Sequence, residues 1–536
     1  MTKSHQSFDA VVVGAGFAGL YMLHRLRKLG LSVRVFEAGN GVGGTWYWNR
    51  YPGARCDIES MQYSYQFSDE LAQEWSWSER YSAQPEILRY ANHVADRFGL
   101  RKDIQFNTAV ASAHFDNETN GWDVGTSDGA HFSARFLIMA TGCLSTTNLP
   151  QIKGRESFAG ASYHTGRWPH EGVDFSGKRV GIIGTGSSAV QSIPIIARQA
   201  KQLFVFQRTP TYSIPAHNGP LDREEERRIK TDYHSMRARA AQTAFDIDGV
   251  FRETPALSVS EEERQRIYEE HWGVGGLTYL GAFGDLITDA KANETAQDFI
   301  RRKIRELVKD PIVAEALMPD HAVGTKRLCV DTGYYETFNC PNVTLVNLER
   351  TPIEEIVPSG IRTSDRLYEL DAIVYATGFD AMTGTLNRID IRGSGGVALK
   401  KEWAAGPRTY LGIATAGFPN LFMIAAGPGS PAVLSNMIPS IEQHVNFISD
   451  IIGHMGERQL ARVEATPGAQ EAWVAHVNEV AASTLYPSTN SWYVGANVPG
   501  KLRIFMPYIG GYPVYVQKCS EVAAKNYEGF ALSAGN

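Results

Sequence analysis

No stretch of the chain stays apolar for the roughly 18 residues that a membrane-crossing helix requires, which excludes a helical membrane protein at the outset. Met1 to Asp9 is polar and lacks the apolar core of a secretory signal, so a cytoplasmic protein is expected. Cysteine is scarce. Cys56, Cys143, Cys329, Cys340 and Cys519 include no C-x-x-C pair and have no histidine at metal-ligand spacing. That argues against a redox dithiol, a disulfide framework and a metal site, and predicts five reduced, buried thiols. An excess of basic charge is missing too: the formal net charge is -6, which offers no field for nucleic acid or an anionic membrane. A small molecule is left as the default partner. Nothing suggests disorder in a chain with 43% hydrophobic and 21% charged residues, and 536 residues are too many for one core.

Glycine, by contrast, is plentiful, with 51 residues, and the first cluster has a defined context. Phe8 to Val13 is a short apolar run suited to a buried parallel strand, and it ends in Gly14-Ala15-Gly16-Phe17-Ala18-Gly19. Met22, Leu26 and Leu29 then share one helical face, Gly30 stops the helix, and a second strand over residues 31–36 delivers Glu37. In a dinucleotide fold Gly14 makes the tight turn, Gly16 lets a pyrophosphate approach and Gly19 lets helix and strand pack. An acid at the position of Glu37 meets ribose hydroxyls.

A second copy spans Lys178 to Arg208, with Gly184-Thr185-Gly186-Ser187-Ser188-Ala189 between strand and helix. Its next strand ends in Gln207-Arg208-Thr209 instead of an acid. An acid would repel a 2′-phosphate, whereas a guanidinium can hold it, so the first site suits FAD and the second NADPH. Two further apolar strands end in Ala140-Thr141-Gly142 and Ala376-Thr377-Gly378, one closing each unit. The second unit is longer, and the surplus lies between Pro220 and Lys326, where the composition turns charged and helical with a capping-box pattern at Ser260 and Glu263. The expected fold is α/β, with two dinucleotide-binding, Rossmann-like domains and a solvated helical insertion in the NADPH domain. Residues 1–150 and 386–536 would form the FAD domain, 151–219 and 326–385 the NADPH domain, and 220–325 the insertion.

Two dinucleotides also fit a disulfide reductase, a quinone reductase or an N-hydroxylase. The absent cysteine pair removes the first. Residues 158–169, Phe-Ala-Gly-Ala-Ser-Tyr-His-Thr-Gly-Arg-Trp-Pro, match the pattern F-x-G-x-x-x-H-x-x-x-W-P, and a second signature runs from Gly43-Gly44-Thr45-Trp46 through Tyr51-Pro52-Gly53 to Asp57. These residues resemble the Baeyer-Villiger monooxygenase family over essentially the whole chain, in the group of cyclohexanone, cyclopentanone and phenylacetone monooxygenases. Related enzymes that oxygenate amines and sulfides usually carry Tyr or Phe where this chain has Trp168.

The resemblance implies that NADPH reduces FAD, dioxygen adds at the flavin 4a position, and the resulting peroxide attacks a ketone to give an ester or lactone, with sulfoxidation as a side activity. It makes Arg327 the cation beside the reacting anion and Asp57 its orienting partner. It also places Lys326 with Arg208 and Thr209 at the 2′-phosphate, assigns His164 to coupling domain motion with coenzyme use, and has Trp492 close a mobile loop near residues 487–505 over the nicotinamide ribose. Phe17, Gly44, Thr45, Trp46, Val110, Ser187, Ser188, Gln191, Thr377 and Gly378 join the cofactor sites by position. Leu144, Tyr279, Leu434 and Phe505 would line the ketone pocket, and a monomer is expected.

Overall fold

The computed structural model describes residues 6–534; residues 1–5, part of the polar stretch Met1 to Asp9, and residues 535–536 lie outside them. The apolar run before Gly14 can bury both its faces only inside a sheet covered on each side. It does so as the strand Gln6–Val13, between Val33–Phe36 and His131–Met139 in an eight-stranded sheet, with Val11 in parallel register against Arg34 and Leu137. The sheet continues antiparallel through Gly121–Thr126 and Val110–Asp116. The short strand Ile104–Gln105 lies outside Val33–Phe36, and two strands from far along the chain, Asp390–Arg392 and Leu421–Met423, complete the sheet, so the polypeptide returns to this unit after Gly378. The helix Met437–Glu457 presents Ile441, Val445 and Ile448 to the same core as the first helix, Phe17–Lys28.

The second glycine loop follows Arg179–Ile183 in a five-stranded sheet that is parallel throughout. That strand lies between Gln202–Gln207 and Ala372–Tyr375, and the outermost neighbour, Ala161–His164, belongs to the fingerprint. Trp168 of that fingerprint is buried against Tyr163 and Phe175.

The insertion is helical over Arg223–Thr231, Tyr233–Ala240, Glu261–Val274, Ala290–Leu307 and Pro311–Ala316. Ser260 caps its helix by accepting from the Glu263 amide at 3.2 Å, but the Glu263 carboxylate pairs with Arg266 at 2.7 Å, so only half of the capping box forms. The expectation of a solvated helical insertion needs correction in one respect. Tyr233, Met236 and Ile247 enter the core of the first domain, while Phe299, Ile300 and Ile304 enter that of the second. The charged faces visible in the sequence are only the outer sides of helices wedged between the two domains.

Of the five free cysteines, four are buried; Cys340 is exposed, because it sits in the turn after the short helix Tyr334–Thr337 and not in a core strand. Among the described residues no helix is long and apolar enough to cross a membrane, and no group of three His, Cys, Asp or Glu could hold a metal ion.

Candidate active site

The first glycine loop is built by backbone contact. Gly14 has φ 104°, and a Cβ there would meet the Ala140 carbonyl at 2.6 Å; a Cβ on Gly19 would lie 1.9 Å from the Gly14 carbonyl. Gly16 faces Gly44, where an added Cβ would come within 2.8 Å of the Gly16 Cα. Glu37 is buried at the loop's edge and accepts from the Ala15 amide at 2.8 Å and the Gly39 amide at 2.7 Å. Burial raises its pKa, and these two donors pull the other way. Residues 107–110 run beside this edge, since the Thr108 amide donates to the Glu37 carbonyl, and that brings Val110 near it. Thr45 and Trp46 start a one-turn helix, with the Trp46 indole donating to Tyr63 at 3.1 Å, and Phe17 lies among Tyr63, Tyr65 and Tyr90.

Around the second loop the space is more open. A Cβ on Gly186 or on Gly378 would meet nothing within 4 Å. Thr185 donates to the Thr209 carbonyl at 2.7 Å, Ser188 to Thr165 at 3.1 Å, and Ser187 lies 3.4 Å from the Cys329 sulfur. Arg208 is exposed at the strand end. Lys326 has a lowered pKa, first from burial; Asp320 opposes the shift and Arg208 adds to it, so the two cations share one neighbourhood. A cationic pair beside an open glycine loop fits a phosphorylated ribose.

The two domains meet at Arg327. Its Nη2 donates to Asp57 Oδ2 at 3.4 Å, and the Gln191 side chain, from the helix after the second glycine loop, donates to Asp57 Oδ1 at 3.0 Å. Asp57 is buried, which raises its pKa, while Arg327 and Gln191 hold it down. Burial, the largest single influence, works against the Arg327 charge but is outweighed by Asp57, Tyr493, Cys56 and Cys329 together, so the guanidinium titrates above its usual range. It keeps 29% of its side-chain surface accessible. Tyr493 is a neighbour of Arg327 that sequence reasoning missed, although it adjoins Trp492; it is buried, and the guanidinium opposes the upward shift that burial gives its pKa. With Asp57 as its one hydrogen-bonded partner among the described residues for five N–H groups, Arg327 retains donors for a further oxygen.

His164 is not placed for proton transfer. Burial holds its pKa down to about 4. Its Nδ1 accepts from the Gly166 amide at 2.9 Å, so the neutral ring carries its proton on Nε2, 3.4 Å from Thr377. Thr377 in turn donates to the Asn148 carbonyl.

Leu144, Leu434 and Phe505 gather in one apolar cluster with Met437, Tyr486 and Tyr493. Tyr279 does not join them. It is fully buried in the insertion, its ring 5.8 Å from Tyr268 and 6.1 Å from Phe299 and its hydroxyl directed to the Ala296 carbonyl. The turn Leu277–Gly281 packs inward against its own helices, and the insertion's contribution to the cluster is Ile287 instead. Trp492 is half-buried at the cluster's edge, its ring 4.2 Å from Tyr493. The segment around it is folded in: Asn497 donates to the Phe379 carbonyl at 2.7 Å and Lys501 pairs with Asp380 at 2.6 Å.

Two glycine loops in tandem, an insertion wedged between their domains and a half-buried Arg-Asp pair where the domains meet define a flavoprotein oxidoreductase architecture. The description "pyridine nucleotide-disulphide oxidoreductase" matches residues 11–265. A phenazine N-monooxygenase of Lysobacter antibioticus is 45% identical over 99% of this chain and 97% of its own. A Baeyer-Villiger monooxygenase of Pseudooceanicola batsensis is 45% identical over 97% of this chain and 95% of its own. A solved structure of an oxidized steroid monooxygenase bound to NADP superposes with a TM-score of 0.95 at 54% identity, covering 99% of this chain and 100% of that one. The chain belongs to the Baeyer-Villiger monooxygenase family.

Proposed function

We propose that this chain holds FAD on the first glycine loop and NADPH on the second, and uses dioxygen to convert a ketone to an ester or lactone. The observation that carries the reading is the half-buried Arg327-Asp57 pair at the domain junction, beside the cluster of Leu144, Leu434 and Phe505. Bound FAD supplies the redox chemistry, passing electrons from NADPH to dioxygen. The residues present fit both groups: Gly14 makes the turn that lets Gly16 and Gly44 present bare backbone to one pyrophosphate, Gly186 leaves room for the other, and Arg208 with Lys326 answers a 2′-phosphate.

Oxygen insertion builds negative charge on the ketone oxygen, and a fixed cation in a water-poor site stabilises it most. Arg327 provides that charge at any working pH, and Asp57 and Gln191 orient it without neutralising all its donors. The apolar wall of Leu434 and Phe505 excludes water from the developing anion. His164, neutral and tied to the Thr377-Asn148 connection, positions the inter-domain segments. Sulfides are a second acceptor class, and the enzyme acts as a monomer. Supplying a ketone panel with NADPH and labelled dioxygen tests the reading: one labelled atom should enter each ester, and an enzyme that oxidised only ring nitrogens or sulfides would overturn it.

Coenzyme choice should rest on Arg208. Loss of a charge-assisted contact worth roughly 1.5–3 kcal/mol predicts that Arg208→Ala raises KM for NADPH by about ten- to a hundred-fold and leaves KM for NADH nearly unchanged. Steady-state kinetics with both coenzymes checks this, and equal losses would refute the assignment. Trp492 should behave as a closing residue. Trp492→Ala is expected to slow turnover while FAD content and melting temperature hold, whereas removing a core tryptophan would cost about 3–5 kcal/mol.

A further inference from the structure

The loop from Gly427 to Ser435, which carries Leu434, is buried along its whole length yet belongs mostly to no helix or strand. Buried irregular backbone must find partners for its polar groups, and here two side chains supply them. The Trp473 indole N–H donates to the Gly429 carbonyl at 3.1 Å, and the Thr409 hydroxyl donates to the preceding carbonyl, that of Pro428, at 2.5 Å. Both side chains are buried. Gly429 has φ 84°, and a Cβ on it would come within 3.0 Å of the Trp473 indole nitrogen and 3.1 Å of the Thr409 hydroxyl, so only glycine lets both donors reach.

The same residue anchors the segment that carries Phe505. Its amide donates to the Met506 carbonyl at 2.7 Å, and the Tyr508 amide donates to the Ser430 carbonyl at 2.9 Å. Leu434 and Phe505 therefore hang from one hydrogen-bonded node. Behind that node lies a crevice of about 20 Å³ bordered by Thr409, Gly429, Trp473, Val477 and Phe505. It is large enough for one water and too small for a ketone, so it is slack behind the wall and not a second substrate site.

We infer that Trp473 and Thr409 are positioning residues that fix the depth of the ketone pocket, and so help to select ketone size, by holding the Pro428 and Gly429 carbonyls. Neither touches the ketone. Without either donor, the freed carbonyl would turn toward the crevice and carry Leu434 and Phe505 with it. The inference rests on the proposed ketone oxygenation.

The test compares KM and kcat for a small aliphatic and a bulky aryl ketone at saturating NADPH in the parent, Trp473→Phe, Thr409→Val and Thr409→Ser. FAD content and the anaerobic rate of flavin reduction are measured alongside. Trp473→Phe and Thr409→Val, which lose the donor and keep most of the bulk, should each shift the ratio of the two KM values by roughly five-fold, the loss of one neutral hydrogen bond. Flavin reduction should not change, and Thr409→Ser, which keeps the hydroxyl, should match the parent. If Thr409→Ser and Thr409→Val moved the ratio alike, or if neither donor-loss variant moved it, packing alone would set the wall and the inference would fall. Should Trp473→Phe fail to retain FAD, the Thr409 pair decides. An active parent with an unmoved ratio sinks only the inference, whereas a parent that oxygenated no ketone would sink the proposed function with it.

Discussion

Arg327→Ala is expected to bind FAD, to be reduced by NADPH in anaerobic stopped flow, and to form ester at least two to three orders of magnitude more slowly, the usual cost of one preorganised electrostatic donor. Hydride transfer should lose less, because the larger charge develops on the ketone oxygen during oxygenation. Reoxidation in air should then release hydrogen peroxide in place of product. A second consequence follows from burial. Removing one partner of a buried ion pair leaves the other charge uncompensated at a cost of about 3–5 kcal/mol. Asp57 already has its pKa raised by burial and is held down chiefly by Arg327, so in the variant it should take up a proton. The double variant Asp57→Asn/Arg327→Ala separates the two effects: it should recover melting temperature and not ester formation. Arg327→Lys should recover little, since a point charge lacks the planar fork. Ester formation near the parent rate in Arg327→Ala would make this arginine structural.

The second large effect concerns the glycine loops, where equivalent-looking motifs should respond in opposite ways. Gly19→Ala places a methyl 1.9 Å from the Gly14 carbonyl, a backbone atom that cannot rotate aside. The first helix must then move off its strand, at ~3 kcal/mol or more. The purified protein should be depleted of FAD and melt well below the parent. Gly186 stands at the middle glycine of the second loop, where φ is -78° and an added methyl meets nothing within 4 Å. Gly186→Ala should fold and hold FAD like the parent but bind NADPH at least about ten-fold more weakly, an effect near 1.4 kcal/mol, because the methyl takes up space the pyrophosphate needs. Thermal melting and coenzyme titration of both variants check the pair; unchanged NADPH affinity in Gly186→Ala would move the pyrophosphate away from this loop.

Sequence alone determined the two dinucleotide loops, because each is a local object. Strand, glycine turn, helix and second strand fall within about thirty residues; the positive φ of Gly14 and the clash of Gly19 with the Gly14 carbonyl are set inside that stretch, and the loop spacing marks Gly186. The motif with Arg327 and the signature ending at Asp57 could be recognised for the same reason. That they touch was implied only by resemblance, since 270 residues separate them and no periodicity encodes the contact. The tertiary structure alone decided the rest. It turned Tyr279 into the insertion's own core and put Ile287 against the cluster of Leu434 and Phe505, because packing between helices chooses which side of a short turn faces inward. It brought Tyr493 onto Arg327. It also hung Leu434 and Phe505 from a node at Gly429 held by Trp473 and Thr409, which are distant in sequence. Long-range burial selects such contacts by leaving each buried carbonyl in need of a donor, and that requirement appears only once the chain has closed around it.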